Sequence, residues 1–411
     1  MNSKTKSGIL TAVLIIFFLS NNNLYACTTA IILGKYTTNG RPLLYKHRDA
    51  GFEQNKLMYF SDGKYNYIGL VNSVDSVGRE VWAGTNSAGF SIMNSASYNL
   101  KPDTDTTKIA DREGEIMKLA LQQCANVKEF EQFLIDLPKP LGVEANFGVI
   151  DADGGAAYFE TNNFSYIKID VNDIDTAPNG YIIRTNYSET GDADQGYGYI
   201  RHAQAEDLFN DAKESKSFSA EFLSKNISRC LRHSLTGEDL AALEPLDETE
   251  QKFVHFEDFI PRNSSVTTVV IEGVAEGESA ELTTMWTTLG FQLCSVSVPV
   301  WVAGGSNLPA ILTADESGEA PLCVKALQLK EKCFPVKRGS GKRYLNLTAL
   351  FNKQNSGILQ KLKPVEEKIK KRAIIVSNSW AANGFSIEEA QSFYEWVSKF
   401  VNDEYSIKFG L

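Results

Sequence analysis

A cysteine directly behind an export-type cleavage site can become the first residue of the mature protein. Cys27 stands in that position, after Leu24-Tyr25-Ala26. A cut after Ala26 would give Cys27 a free α-amine. A thiol attacks as its thiolate, so a base must take its proton. An α-amine, with an ordinary pKa near about 8, works as a general base at neutral pH. One residue then supplies both nucleophile and base. An acid nearby would orient the amine, and Asp49, at the end of the second strand of a hairpin, is the first candidate.

The same cysteine partly fits a lipid-attachment site, with Leu24 three residues before it and the small Ala26 directly ahead. An acylated amine is no base, so the two readings exclude each other. Three features weigh against lipidation: the bulk of Tyr25, the asparagines Asn21, Asn22 and Asn23 between the site and the apolar run, and a buried-looking strand that starts at once at Thr28.

The residues ahead of Cys27 read as a leader. Lys4 and Lys6 form a positive start, and Gly8 to Ser20 is an apolar run of signal-peptide length. It is too short for a membrane span, which takes roughly 20 apolar residues. Residues 1–26 are therefore expected to be removed, and the mature chain to be exported to the periplasm or beyond. Lipidation of Cys27 would anchor it to a membrane surface; stable membrane insertion is not expected.

The chain has 41 basic and 51 acidic residues, and losing Lys4 and Lys6 takes the net charge from −10 to −12. That argues against a general nucleic-acid binder, which would show a basic patch or balance. Aromatic content of 11% supports a substantial core and argues against disorder. Six cysteines are few for an exported chain of this length, and their spacing matches no metal knuckle. Cys323 and Cys333 are nearest in sequence, and spacing does not decide whether they pair. His47, His202, His233 and His255 lack metal-ligand spacing and read as structural or surface residues. His47 precedes Asp49 closely, and strand neighbours face opposite ways, which would set it apart from the pocket.

The elements that must position these residues are strands in two groups. Thr28–Leu33, a turn at Thr37–Gly40 and Arg41–Lys46 read as a hairpin, followed by strands at 65–71, 80–84 and 90–94. Helices are expected at 113–124 and 127–135. A second strand group covers 145–150, 156–160, 166–171 and 181–186, followed by helices at 200–213 and 219–230. Strands return at 265–271, 281–288 and 292–298. Helices at 351–371, interrupted by Pro364, and 387–400 complete the chain. Strand groups alternating with helix pairs predict sheets packed together with helices outside, an α+β layering.

The stretch CTTAIILGKYTTNGRPLLYKHRD, from Cys27 to Asp49, resembles the start of the linear amide C–N hydrolases. These are the choloylglycine hydrolase and isopenicillin N acyltransferase relatives, including penicillin V acylases, bile salt hydrolases and acid-ceramidase-like enzymes. Its YKHRD is closer to the acyltransferase side, and Lys46 stands where the bile-salt-hydrolase branch has an arginine. NSAGFSIMNSA (86–96) resembles the element that brings an asparagine to the oxyanion hole, with Asn94 matching best. NFGVIDADGGAAYFETN (146–162) resembles the family's central hairpin, and IIRTNY (182–187) its Thr-Asn element, with Asn186 as oxyanion donor. PRNSSVTTVVI (261–271) resembles the arginine-then-strand element, making Arg262 the active-site arginine. The matches span roughly residues 27–300 in order.

The resemblance implies a four-layer αββα sandwich of the N-terminal-nucleophile hydrolase type. It implies one domain over 27–411, with a core over about 27–300 and a variable part over about 301–411. The implied activity is hydrolysis of a linear amide, with Cys27, Asp49, Asn94, Asn186 and Arg262 as site residues and a small N-acyl amide as substrate. No cofactor or metal is required. An acyltransferase and a non-catalytic surface lipoprotein are the alternatives, and the oligomeric state is left open. Each residue also has a plainer reading: Asn94 as a turn residue, Asn186 as packing, Asp49 as a loop cap, and Arg262 as a surface ion pair with Asp258 or Glu257.

Overall fold

The computed structural model describes residues 26–411, so the leader expected over 1–26 lies, apart from Ala26, outside the described residues. The first strands are β1 (Thr28–Ile32), β2 (Leu43–Asp49), β3 (Asn55–Phe60), β4 (Tyr67–Asn72), β5 (Ala83–Asn86) and β6 (Ser91–Ala96). Helices α1 (Glu113–Gln123) and α2 (Val127–Asp136) follow, then β7 (Ala145–Ile150), β8 (Ala156–Thr161), β9 (Tyr166–Asp170), β10 (Tyr181–Arg184) and helix α3 (Tyr199–Ser215). After two short ribbon strands, β11 (Arg232–His233) and β12 (Glu238–Asp239), come β13 (Phe253–His255), β14 (Ser265–Glu272), β15 (Thr284–Leu289) and β16 (Val298–Val300). The last elements are α4 (Pro321–Cys333), β17 (Tyr344–Asn346), α5 (Ile358–Asn383) and α6 (Ile387–Phe409).

Two antiparallel sheets form the centre. One runs β10-β1-β2-β14-β15-β16 and the other runs β3 to β9 in chain order. They pack face to face, with β1 and β2 against β6 and β7, and β14 against β5. Alternation sorts the side chains of each strand to two faces. Ile31 and Leu44 join Leu70, Met93 and Tyr158 in the core between the sheets. Ala30, Ile32, Leu43 and Tyr45 face the other way, onto Phe209 and Ala212 of α3. The far face of the second sheet buries Ile92, Phe147 and Phe159 against Met117 of α1 and Phe130 of α2. The layers are therefore helix, sheet, sheet, helix: an αββα sandwich. The core between the sheets continues into the C-terminal helices through Trp301, Trp380, Tyr394 and Tyr405.

Several elements depart from the sequence reading. The helix expected at 219–230 is a short π-helical turn, Phe222–Ile227. The strand expected at 292–298 becomes a 3-10 turn, Gln292–Cys294, and then β16. β3 and α4 were not anticipated. The helix expected at 351–371 starts at Ile358 and runs to Asn383 with Pro364 inside it, because Val365, Ile369 and Ala373 bury one continuous face. All six cysteines are free and buried. No helix among the described residues is long and apolar enough to cross a membrane.

Phe130 is fully buried, its ring 5.1 Å from Phe159 and 6.1 Å from Phe147. Phe130→Ala should cost about 3–5 kcal/mol, the range for emptying an aromatic site in a core. Denaturant unfolding measures this. Alkylation of Cys27 in the folded variant should stay at the wild-type rate, because α2 lies on the far side of the second sheet.

Candidate active site

The β1–β2 hairpin brings Cys27 and Asp49 to one end of the first sheet. Its register pairs Thr28 with His47 and Thr29 with Lys46. The alternation of β2 then divides the YKHRD stretch between two faces. Lys46 and Arg48 point between the sheets, on the side to which Cys27, Thr29 and Ile31 belong. His47 and Asp49 point to the helical layer. His47 and Asp49 are two residues apart and share a face, which corrects the expectation that His47 turns away: its Nε2 lies 3.9 Å from Asp49 Oδ1.

On the helical side Asp49 is buried and fully engaged. Its Oδ2 accepts from Arg262 Nε at 2.9 Å and Nη2 at 2.6 Å, and its Oδ1 accepts from Ser265 Oγ at 2.5 Å. Arg262 therefore pairs with Asp49, not with Asp258 or Glu257. Arg262 Nη2 also donates to the Ala26 carbonyl at 3.3 Å, so the peptide joining Ala26 to Cys27 sits beside this ion pair. His47 is buried between Ser265 Oγ (2.9 Å) and Thr268 Oγ1 (3.3 Å), and burial lowers its pKa to about 4.

Asn186 follows β10 and is tied to Cys27 through Arg201. Arg201 Nη1 donates to the Cys27 carbonyl at 2.7 Å and to Thr28 Oγ1 at 2.9 Å, and its Nη2 donates to Asn186 Oδ1 at 2.9 Å. Asn186 Nδ2 donates to the Ala96 carbonyl at 2.9 Å, at the end of β6. Sequence reading missed Arg201. A cation in the first turn of a helix opposes the helix dipole, yet Arg201 continues the apolar stripe of Ala205, Phe209 and Ala212 on α3, and that was a usable signal. Gly198 makes room for it: a Cβ there would lie 2.3 Å from Arg201 Nη2, and the backbone has φ +90°.

Between the sheets, Lys46 Nζ donates to Asn94 Oδ1 at 2.6 Å and to the Trp82 carbonyl at 2.7 Å. Arg48 donates to Asn55 Oδ1 at 2.6 Å and Asn72 Oδ1 at 3.0 Å, with its guanidinium 4.8 Å from the centre of the Trp82 ring. Buried arginines elsewhere sit on carboxylates: Arg184 on Glu160, Arg229 on Glu366, Arg41 on Glu278. Lys46, Arg48 and Arg201 bond only neutral oxygens among the described hydrogen bonds. This arrangement leaves three basic side chains without a carboxylate partner near the start of β1. Burial lowers Lys46 to a pKa of about 7, Arg48 to about 10 and Arg201 to about 9.

The structure thus gathers Cys27, Asp49, Arg262 and Asn186 around the start of β1, and ties Asn94 to the same place through Lys46. It adds Arg201, Ser265, His47 and Arg48. The described residues hold no cluster suited to a metal ion. Cavities of about 660 and 560 Å³ lie elsewhere, and none of the five expected site residues lines them.

No family model matches the chain, and no curated protein matches it. Solved structures similar to it include an N-acylethanolamine-hydrolyzing acid amidase ortholog from Caenorhabditis elegans, at 14% identity and a TM-score of 0.42, covering 60% of this chain and 92% of that one. A penicillin V acylase from Agrobacterium tumefaciens is 13% identical with a TM-score of 0.39, covering 67% and 86%. A variant of conjugated bile acid hydrolase from Clostridium perfringens is 12% identical with a TM-score of 0.40, covering 68% and 93%. The layered fold described above rests on the sheet order and packing of this chain itself.

Lys46 gives a pH test. An unfolded lysine titrates near about 10.4, and Lys46 in the folded chain near about 7. Between these values the unfolded chain holds a proton that the folded chain lacks, so this group makes stability rise with pH across the window. The penalty is complete below the folded pKa and relieved towards the unfolded one. Lys46→Met removes the titrating group. The stability difference, variant minus wild type, should shrink as pH rises from 7 to 10, read by urea unfolding at each pH.

Proposed function

We propose that the chain is an exported amide hydrolase that cleaves a linear N-acyl amide C–N bond through a thioester on Cys27. The observation that carries this reading is the convergence of a cysteine, a held carboxylate and a braced carboxamide, drawn from residues 27, 49 and 186, at the start of one strand. The Arg262 contact to the Ala26 carbonyl supports a specific consequence of cleavage after Ala26: the new amine would emerge beside Asp49. Thr28 is already in β1, and the Cys27 carbonyl is already bonded to Arg201, so no tether is left for a lipid anchor.

In this mechanism the α-amine takes the proton from Cys27 Sγ, and the sulfur attacks the amide carbon. Asn186 Nδ2, together with Asn94 or its backbone N–H, donates to the oxyanion, each donor worth a few kcal/mol in the transition state. The C–N bond breaks, and the leaving amine departs with the proton held by the α-ammonium. Water then gives its proton to the same amine, attacks the thioester and releases the acid. Asp49 orients the amine, and Arg262 and Ser265 fix Asp49. Lys46, Arg48 and Arg201 stabilise negative charge on sulfur and oxyanion. The substrate is a small N-acyl amide, and no step uses a cofactor.

A chain expressed from Met-Cys27, with Met trimmed by the host, should hydrolyse members of an N-acyl amide panel. One that keeps even a single residue ahead of Cys27 should not. Full activity of the extended form would remove the α-amine from the mechanism.

The roles of Asp49 and Asn186 separate by kinetics. Asp49→Asn should slow both alkylation of Cys27 by iodoacetamide and amide turnover. Asn186→Ala should leave alkylation near wild type and lower kcat by about 10²–10³, the range for losing an oxyanion donor. Equal losses of alkylation in both variants would refute this division.

A further inference from the structure

Cys294 and Cys333 have no part in the proposed chemistry, yet their sulfurs are 3.5 Å apart and both residues are fully buried. Cys294 ends the 3-10 turn behind β15, and Cys333 is the last residue of α4. That turn and α4 pack directly on one another. Burial raises the Cys294 thiol well above its ordinary pKa, and the Cys333 sulfur beside it adds to the shift. Of the other cysteines, Cys323 contacts the backbone of residues 53 and 55, Cys230 contacts that of Arg232, and none is recorded in contact with another sulfur.

From this geometry we propose that Cys294 and Cys333 are a modification site, joined as a disulfide in the mature protein; the proposal goes beyond the hydrolase reading and rests only on its export. The sulfurs are in direct contact, with no other atom between them, as a pair about to be joined must be. The oxidant is a small or protein disulfide, such as glutathione disulfide or an oxidoreductase of the export compartment. Cys333, as thiolate, attacks it to form a mixed disulfide and release one thiolate. Cys294, on losing its proton, attacks the Cys333 sulfur and releases the second. The balance is two protein thiols and one disulfide giving one protein disulfide and two thiols. Burial disfavours the Cys294 thiolate, so the bond forms while α4 is docking.

The bond would close a loop between positions 39 residues apart and fix the end of α4 to the first sheet. α4 in turn contacts the stretch that leads into β3. Asn55 N donates to Cys323 Sγ at 3.4 Å, and Lys330 is ion-paired with Glu53. Asn55 is also the residue that holds Arg48.

The test uses the full chain exported to a bacterial periplasm, purified without reductant, denatured in iodoacetamide and digested. The expected result is a Cys294–Cys333 cross-linked peptide, with Cys27, Cys124, Cys230 and Cys323 alkylated. Alkylation of all six would overturn the proposal. The same protein, equilibrated in graded glutathione redox buffers, should lose the linked peptide only at strongly reducing ratios. Its Tm should then fall by several degrees, and Cys294→Ser should lower the Tm likewise and make it insensitive to reductant. A wild-type Tm unmoved by reductant while the linked peptide disappears would show a bond that does not brace α4. The peptide map needs no variant and so decides the bond's existence even where Cys294→Ser fails to fold. It is also independent of turnover: a linked peptide in an enzyme without amidase activity would sink the function and keep the disulfide.

Discussion

The register between β1 and β2 is the constraint on which the site depends. With Thr28 opposite His47, consecutive residues of β2 serve opposite faces. Lys46 and Arg48 join the sulfur's side, while His47 and Asp49 join the backbone's side. A slip of one residue would exchange the two sets. Asp49 would then point between the sheets, away from Arg262 and Ser265, and two basic side chains would press on the helical layer. Apolar neighbours hold the register, with Ile31 and Leu44 inside and Ala30 and Tyr45 outside. The turn closes tightly enough to assist, since a Cβ on Gly34 would meet the Gly40 carbonyl at 2.3 Å.

The two faces solve different electrostatic problems. On the helical face a buried carboxylate is satisfied by Arg262 and Ser265. Removing one partner from such a buried pair typically costs about 3–5 kcal/mol, because the remaining charge is stranded. On the inner face the cations have neutral partners, so their fields are not spent on a resident carboxylate. Arg201 joins the two problems. It grips the Cys27 carbonyl and the Asn186 amide with one guanidinium, so the proposed nucleophile and the proposed oxyanion donor are set by the same rigid group. A planar fork suits that task better than a lysine would.

Much of this was legible in the sequence, for identifiable reasons. The strands β4 and β6 to β10 declare themselves by alternation and glycine turns, and α1, α2 and α3 by their apolar stripes, whereas β5 (Ala83–Asn86) lies further along than the strand expected at 80–84. Cys27 was proposed from its position behind Ala26, Asp49 from the hairpin, and Asn94, Asn186 and Arg262 only through resemblance. Arg201 and Ser265 were not singled out because their partners lie far off in sequence, and the one local sign of Arg201 was its place on the apolar stripe of α3; Arg48, whose partner Asn55 is seven residues away, was not singled out either. Arg201 reaches Cys27 across 174 positions. α4 had a proline at its first position and a buried stripe of Leu322, Ala326 and Leu329, but Lys330 and two cysteines on that stripe masked its period.

The C-terminal quarter, which carries no motif, still reaches the site by packing. α4 touches the stretch leading into β3 through Cys323 and Lys330. β3 supplies Asn55 to Arg48, and Arg48 stacks on Trp82, whose carbonyl also binds Lys46. Each step is short, and the chain of contacts connects residues about 280 positions apart in sequence within one packed wall. Interiors packed at crystal-like density transmit displacement, because there is no free volume to absorb it. α4 is therefore part of the same packed wall as Arg48 and Lys46.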